Sequence, residues 1–173
     1  MKTKLKLTTQ EIWQKITAEA KASAAAEPNL ANYFANTILN HSDLGTALSS
    51  YLAQKLASTA ATAPMLQEIM QEVFAKEPII IMVARDIQAT VDRDSACDLY
   101  SSPFLYFKGF LSLQAYRAAH ELWLQGRTSL ALLLQHRISI TFAVDIHPAA
   151  IIGSGVMIDH ATALVIGETA VIE

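Results

Sequence analysis

A chain of 173 residues with a net charge of −3 is long enough for one ordinary domain or for one domain plus a fragment, and its only basic alternation, Lys2, Lys4 and Lys6, offers no stripe to neutralise nucleic-acid phosphates. Hydrophobic residues make up 52% of it against 17% charged, and the mean hydropathy is +0.28, which predicts a large buried core, extensive subunit contact, or both. The single cysteine, Cys97, excludes an internal disulfide and a cysteine-based metal site, and reads as a plain packed thiol.

Thr8 and Glu11 have capping-box spacing, and Ile12, Trp13, Ile16 and Ala20 follow at helical intervals, so helix is predicted from residue 8. Glu27-Pro28 ends that helix and opens the next, with Leu30, Phe34, Ile38 and Leu39 on one apolar face. Ser42 or Asp43 caps a third helix carrying Leu44, Ala47, Leu48, Tyr51, Leu52 and Leu56. Ser58 to Ala63 is a linker of small residues. Pro64 opens a helix with Leu66, Ile69, Met70, Val73 and Phe74, and Pro78 opens another that runs from Ile79 to about Val91. Residues 92–102 are polar and irregular. Pro103 starts a long helix through Leu113, Tyr116, Ala119 and Trp123, stopped by Gly126. The last helix, Ser129 to Ile140, is apolar nearly all round, a pattern that predicts burial between domains or subunits.

From Val144 the helical period gives way to another. Ile146, Ile152 and Ile158 take the first place of a six-residue repeat, with His147, Gly153 and Asp159 second and Ala150, Val156 and Thr162 fifth. After a two-residue slip the repeat resumes at Ile166-Gly167 with Ala170, then Ile172-Glu173. Each six-residue unit suits one short strand and one corner of a triangular coil: the aliphatic residue points inward and the small residue leaves room beside it. The fold class is therefore mainly α, a multi-helix domain over 1–143; for 144–173 the period alone leaves ordinary short strands with glycine turns open, while the resemblance given next implies the first one to two coils of a left-handed parallel β-helix.

The stretches Val144 to Ala150, Ile158-Asp159-His160-Ala161-Thr162 and Ile166 to Glu173 resemble serine acetyltransferases. Upstream, Asp86-Ile87-Gln88-Ala89, Arg93-Asp94, Pro103 to Phe110 and Gln114-Ala115-Tyr116-Arg117 resemble the same family in the same order. The resemblance implies acetyl transfer from acetyl-CoA to the hydroxyl of L-serine, giving O-acetylserine for cysteine biosynthesis. Serine's hydroxyl is a weak nucleophile at neutral pH and needs a base, a task for which an imidazole titrates in the right range. The resemblance gives that role to His160, with Asp145 fixing its tautomer, and assigns Asp94 and Asp159 to the ammonium group of serine. Three hexads make one coil, so Asp145, fifteen residues before His160, is expected near the rung below it. Without the resemblance, Asp94 reads as a loop or capping acid, Asp159 as a turn acid, and Asp145 as a solvated acid. His147 reads as a corner residue near the site, His120 as an interhelical contact, and His41 and His136 as surface or interface.

The family's further coils, which the resemblance makes the site of most acetyl-CoA contacts, a second histidine and a serine-binding arginine, have no counterpart in these 173 residues. The polypeptide alone is expected to be inactive or nearly so, and acetylation of serine well above a His160→Ala control would overturn that. Residues from about 150 onward are expected to be frayed, or covered by another chain. The family's assembly is a hexamer, a dimer of trimers, so a homo-oligomer is expected, and a non-catalytic helical assembly module of the same family is the alternative reading. The family's partner, O-acetylserine sulfhydrylase, docks on a C-terminal tail that is also without a counterpart. Asp94 and the Asp159-His160 pair weigh against a relative acting on another alcohol or amine. Neither a Cys cluster nor a helical His pair at ligand spacing occurs, so no metal and no bound cofactor is implied. Leu5 and Leu7 are separated by charge and Glu11 follows, and nowhere do about 18 uncharged apolar residues run together, so neither signal peptide nor membrane span is expected and the chain reads as cytoplasmic.

Overall fold

Eight helices and four short strands follow one another in a computed structural model that describes residues 6–173; Lys2 and Lys4 of the basic alternation lie outside the described residues. Helix α1 spans Thr9–Ala26 behind the expected capping box: the Glu11 amide donates to Thr8 Oγ1 (3.2 Å) and the Thr8 amide to Glu11 Oε2 (2.7 Å). A single helical turn, Pro28–Leu30, leads into α2 (Ala31–Phe34), which continues as a wide turn over Ala35–Leu39 and buries Phe34 and Ile38. Between the two candidate caps of α3 (Leu44–Leu56), Asp43 is the one used; it accepts the Thr46 amide at 2.8 Å. Arg137 lies at the other end of α3 and donates to the carbonyls of Leu56 (2.7 Å) and Ala57 (2.8 Å), where the helix dipole favours a cation. Helices α4 (Ala63–Phe74) and α5 (Glu77–Arg93) each begin with a proline in the first turn.

The long helix expected from Pro103 is two helices, α6 (Ser101–Tyr106) and α7 (Lys108–Leu124). Phe107 leaves the helical region at φ −89°, ψ 105°. Neither proline nor glycine stands at that position, so the break answers to packing rather than to local chemistry; the start of α7 that it sets lies against Ile158 of the β region. Helix α7 is the centre of the core, with Leu113, Tyr116, Ala119 and Leu122 inaccessible or nearly so. It stops at Gly126, where φ is +76° and the Arg127 amide reaches back to the Leu122 carbonyl (2.9 Å), a left-handed cap that glycine adopts freely.

Helix α8 (Thr128–Phe142) packs one face, Ala131, Leu134, Ile138 and Phe142, against α7 and the first strand. Its Leu132 and Ile140 are 44% and 61% exposed in the single chain. Ala143, left-handed at φ 55°, turns the chain from α8 into β1 (Val144–Ile146).

Strand β1 pairs in parallel with β3 (Leu164–Ile166), and β2 (Ile151–Ile152) with β4 (Val171–Ile172). This is the start of the expected β-helix. The register sets Val144 opposite Leu164 and Ile151 opposite Val171, two residues more than three hexads, so the slip in the repeat is carried as a longer corner at residues 157–163. Ile146, Ala150 and Ile152 point into the coil and are buried; the next turn, Ile158, Ile166 and Ile172, is only partly covered. From about residue 150, where fraying or cover by another chain is expected, the strands are paired, with Ile151, Val165 and Val171 outward and more than half exposed. No helix among the described residues is long and apolar enough to cross a membrane.

Candidate active site

The long corner carries the proposed base. His160 (φ 44°), Ala161 (φ 60°) and Ala163 (φ 63°) are all left-handed without being glycine, a concentration of unfavourable backbone that the surroundings must impose. The Ala161 amide turns back onto the Asp159 carbonyl, the Leu164 amide bonds the Ala161 carbonyl (3.1 Å), and the Ala163 amide bonds Ala143 at the end of α8 (2.9 Å). Ala161 is buried while the side chains either side of it stand out: the His160 side chain is 95% exposed and that of Asp159 65%. His160 Nε2 lies 3.7 Å from Asp159 Oδ1, beyond hydrogen-bond length but close enough for attraction once the ring is charged.

The two other acids are not gathered onto His160. Asp145 pairs in register with Val165, and its Oδ1 accepts the Gln135 amide from α8 at 2.7 Å. Asp145 and His160 make no hydrogen bond or ion pair with each other in this single chain. Asp94 follows the last residue of α5 and accepts the Ala96 amide (2.9 Å), a half-buried capping arrangement. Its neighbour Arg93 reaches the β region and donates to the Gly155 carbonyl (2.8 Å), so the end of α5 is tied to the segment that leads into the His160 corner.

What joins the helices to the coil is a buried ion pair. Asp86 of α5 and Arg117 of α7 are almost wholly inaccessible, with Arg117 Nη2 2.7 Å from Asp86 Oδ2. The same carboxylate accepts Arg117 Nε (2.8 Å), Gln114 Nε2 (3.1 Å) and the amides of Gly155 (2.8 Å) and Val156 (3.0 Å). Arg117 in turn donates to the carbonyls of Ile152 (3.3 Å) and Gly153 (2.7 Å). Burial pushes the Asp86 carboxyl up, with Arg117 and the amide donors pulling the other way. Every group facing its oxygens is a donor, so the carboxylate is the form that fits the site. Arg85 adds a bond to Ser154 Oγ (3.1 Å), the Tyr116 hydroxyl donates to the Ala150 carbonyl, and His120 Nδ1 meets the Pro148 carbonyl at 2.7 Å.

The comparisons with known proteins follow this layout. The family model described as "Serine acetyltransferase, N-terminal" matches residues 12–115. The chain belongs to the serine acetyltransferase family. The serine acetyltransferase of Escherichia coli (strain K12) is 53% identical over 163 residues, covering 94% of this chain and 60% of the relative, so the chain spans less than two thirds of that relative's length. A solved serine acetyltransferase in complex with CoA superposes with a TM-score of 0.92 at 53% identity, over 95% of this chain and 70% of that one. The soybean enzyme complexed with serine does so with a TM-score of 0.92 at 47% identity, over 95% of this chain and 68% of that one.

Asp86 and Arg117 lie inside stretches that resemble the family, yet their joint task was not anticipated from sequence. A signal was there: Asp86 shares an apolar helix face with Val83, Ile87 and Thr90, and a charge on such a face needs a buried partner. One histidine differs from expectation. His120 contacts the first corner of the coil rather than another helix, because α7 packs directly beneath that corner. His147 accepts the Ala149 amide through Nδ1 (3.1 Å) and meets the edge of Trp123, with ring centroids 5.2 Å apart. Cys97 is buried, and burial pushes its thiol up, as suits a packed side chain.

Proposed function

We propose that this chain carries the acceptor side of an acetyl transfer from acetyl-CoA to the hydroxyl of L-serine, giving O-acetylserine and CoA. The observation that carries the reading is the Asp159–His160 corner: an exposed imidazole and carboxylate on a backbone held left-handed, in a chain of the serine acetyltransferase family. His160 takes the hydroxyl proton as serine Oγ forms a bond to the thioester carbonyl carbon. The C–S bond then breaks, and the proton passes from the imidazolium to the departing sulfur. Asp159 and Asp94 hold the ammonium group of serine, each as a charge-assisted acceptor. Asp145 orients the imidazole through a contact that the single chain does not itself make; Gln135 occupies one of its oxygens and leaves the other for the ring. Relatives solved with CoA and with serine support both substrates.

Assembly into a homo-oligomer accompanies this reading. Ile151, Val165 and Val171 are exposed on the outer faces of the strands, and Leu132 and Ile140 on α8, a quantity of apolar surface that association would cover. Sedimentation equilibrium tests it: a discrete oligomer at micromolar concentration is expected, and a monomer throughout would refute it.

Calorimetric titration with L-serine tests the acceptor site without depending on turnover. Asp159→Asn and Asp94→Asn should each weaken binding about tenfold or more, the effect of losing one charged hydrogen bond. His160→Asn should leave it within a factor of about two, since loss of a base that acts on the developing transition state barely changes ground-state affinity. Unchanged affinity in both aspartate variants would sink the assignment.

A further inference from the structure

We propose that Lys108 and Gly109, at the start of α7, are positioning residues that seat the Asp159–His160 corner in its left-handed form; the functional weight of this rests on the reading of His160 as the base. Gly109 is buried, and its missing side chain is what lets the corner approach. A Cβ at that position would fall well inside van der Waals distance of the Ile158 carbonyl oxygen, 2.9 Å from the Ile158 carbonyl carbon and 3.4 Å from Ala161 Cβ. One residue earlier, Lys108 Nζ donates to Thr162 Oγ1 at 2.6 Å. The two contacts grip the corner on both sides of His160, at positions 158 and 162, and the Ala163 amide bound to Ala143 closes it behind.

The grip accounts for two observations that are otherwise unrelated. His160, Ala161 and Ala163 keep left-handed backbones although none is glycine, so something outside the corner must hold them there. Helix α7 begins anew after Phe107 although no helix breaker stands there, and the new start delivers Lys108 and Gly109 to the corner. Neither residue touches the imidazole in these contacts; they set the backbone from which it projects.

Gly109→Ala separates this role from ordinary helix stability. Alanine is the better helix former, so if Gly109 serves α7 alone the variant gains stability and leaves the corner untouched. If it seats the corner, α7 stays formed while the corner is displaced. Amide hydrogen exchange across 157–163 reads the corner, and the His160 imidazole cross-peak, assigned with His160→Asn, reads the ring. Exchange should quicken about tenfold or more in Gly109→Ala, with the His160 peak shifted and the His41 and His136 peaks still. Lys108→Met should quicken exchange about threefold or more, and Lys108→Arg, which keeps a donor, should restore most of the protection. Exchange and the His160 peak unchanged in both Gly109→Ala and Lys108→Met would overturn the proposal. None of these readouts needs acetyl transfer, so a failure of His160 as the base would show separately, as His160→Asn retaining whatever transfer the parent performs.

Discussion

Replacing Asp86 by alanine removes the one carboxylate on which the helices and the coil converge. It leaves the Arg117 guanidinium buried with only carbonyl and thioether partners, and strips the Gly155 and Val156 amides of their acceptor. Breaking a buried pair from one side costs about 3–5 kcal/mol, because the charge left behind is uncompensated. Against a total stability of roughly 5–15 kcal/mol this is a large share, and at roughly 2–4 °C per kcal/mol it is easily read in a thermal melt. Urea unfolding followed by circular dichroism gives the difference directly. Hydrogen exchange should locate it, with the Gly155 and Val156 amides losing protection before the interior of α3 or α7. The double variant Asp86→Leu/Arg117→Met should recover part of the loss, since no charge is then stranded, but not all, since the coil's own amides and carbonyls stay unpaired. A stability for Asp86→Ala within about 1 kcal/mol of the parent would refute the reasoning, because exposed pairs are worth no more than that.

Two further variants probe the helical part. Asp43→Ala should cost about 1 kcal/mol in urea unfolding, the usual worth of an N-cap. Burial pushes the Asp43 carboxyl up, but the Thr46 and Gly45 amides and the Ser42 and Thr46 hydroxyls outweigh it and hold the group below its ordinary value. Its contribution is therefore full above the ordinary carboxylate pKa of about 3.9 and fades as pH falls through the lower folded value, so parent and variant should converge in acid below that ordinary value. Gly126→Ala meets no atom within 4 Å but must hold φ near +76°, so it should lose about 1–2 kcal/mol by backbone strain alone, and Gly126→Asn less.

Most of the helices were legible because their signals are local. Capping residues, prolines in first turns and the apolar spacing of α1, α3, α4 and α5 act within a few residues of where they stand. The hexad repeat was legible for the same reason, and its slip marked the corner at 157–163. The features that escaped depend on residues far apart in the chain. The break at Phe107 delivers Gly109 to the Ile158 carbonyl, far along the chain, and that contact leaves no local mark at Phe107 itself. The Asp86–Arg117 clamp joins α5, α7 and the first turn of the coil, and only the charge on an apolar face hinted at it. Asp145 stands fifteen residues before His160, whereas the paired register advances twenty residues per coil.

The central claim is that L-serine binds beside His160 on the 157–163 corner, and a titration of L-serine followed on the His160 imidazole resonances tests it most directly. A saturable shift of His160 that disappears in Asp159→Asn, with His41 and His136 unmoved, is the expected result. Binding of L-serine that leaves the His160 resonances where they are would contradict it.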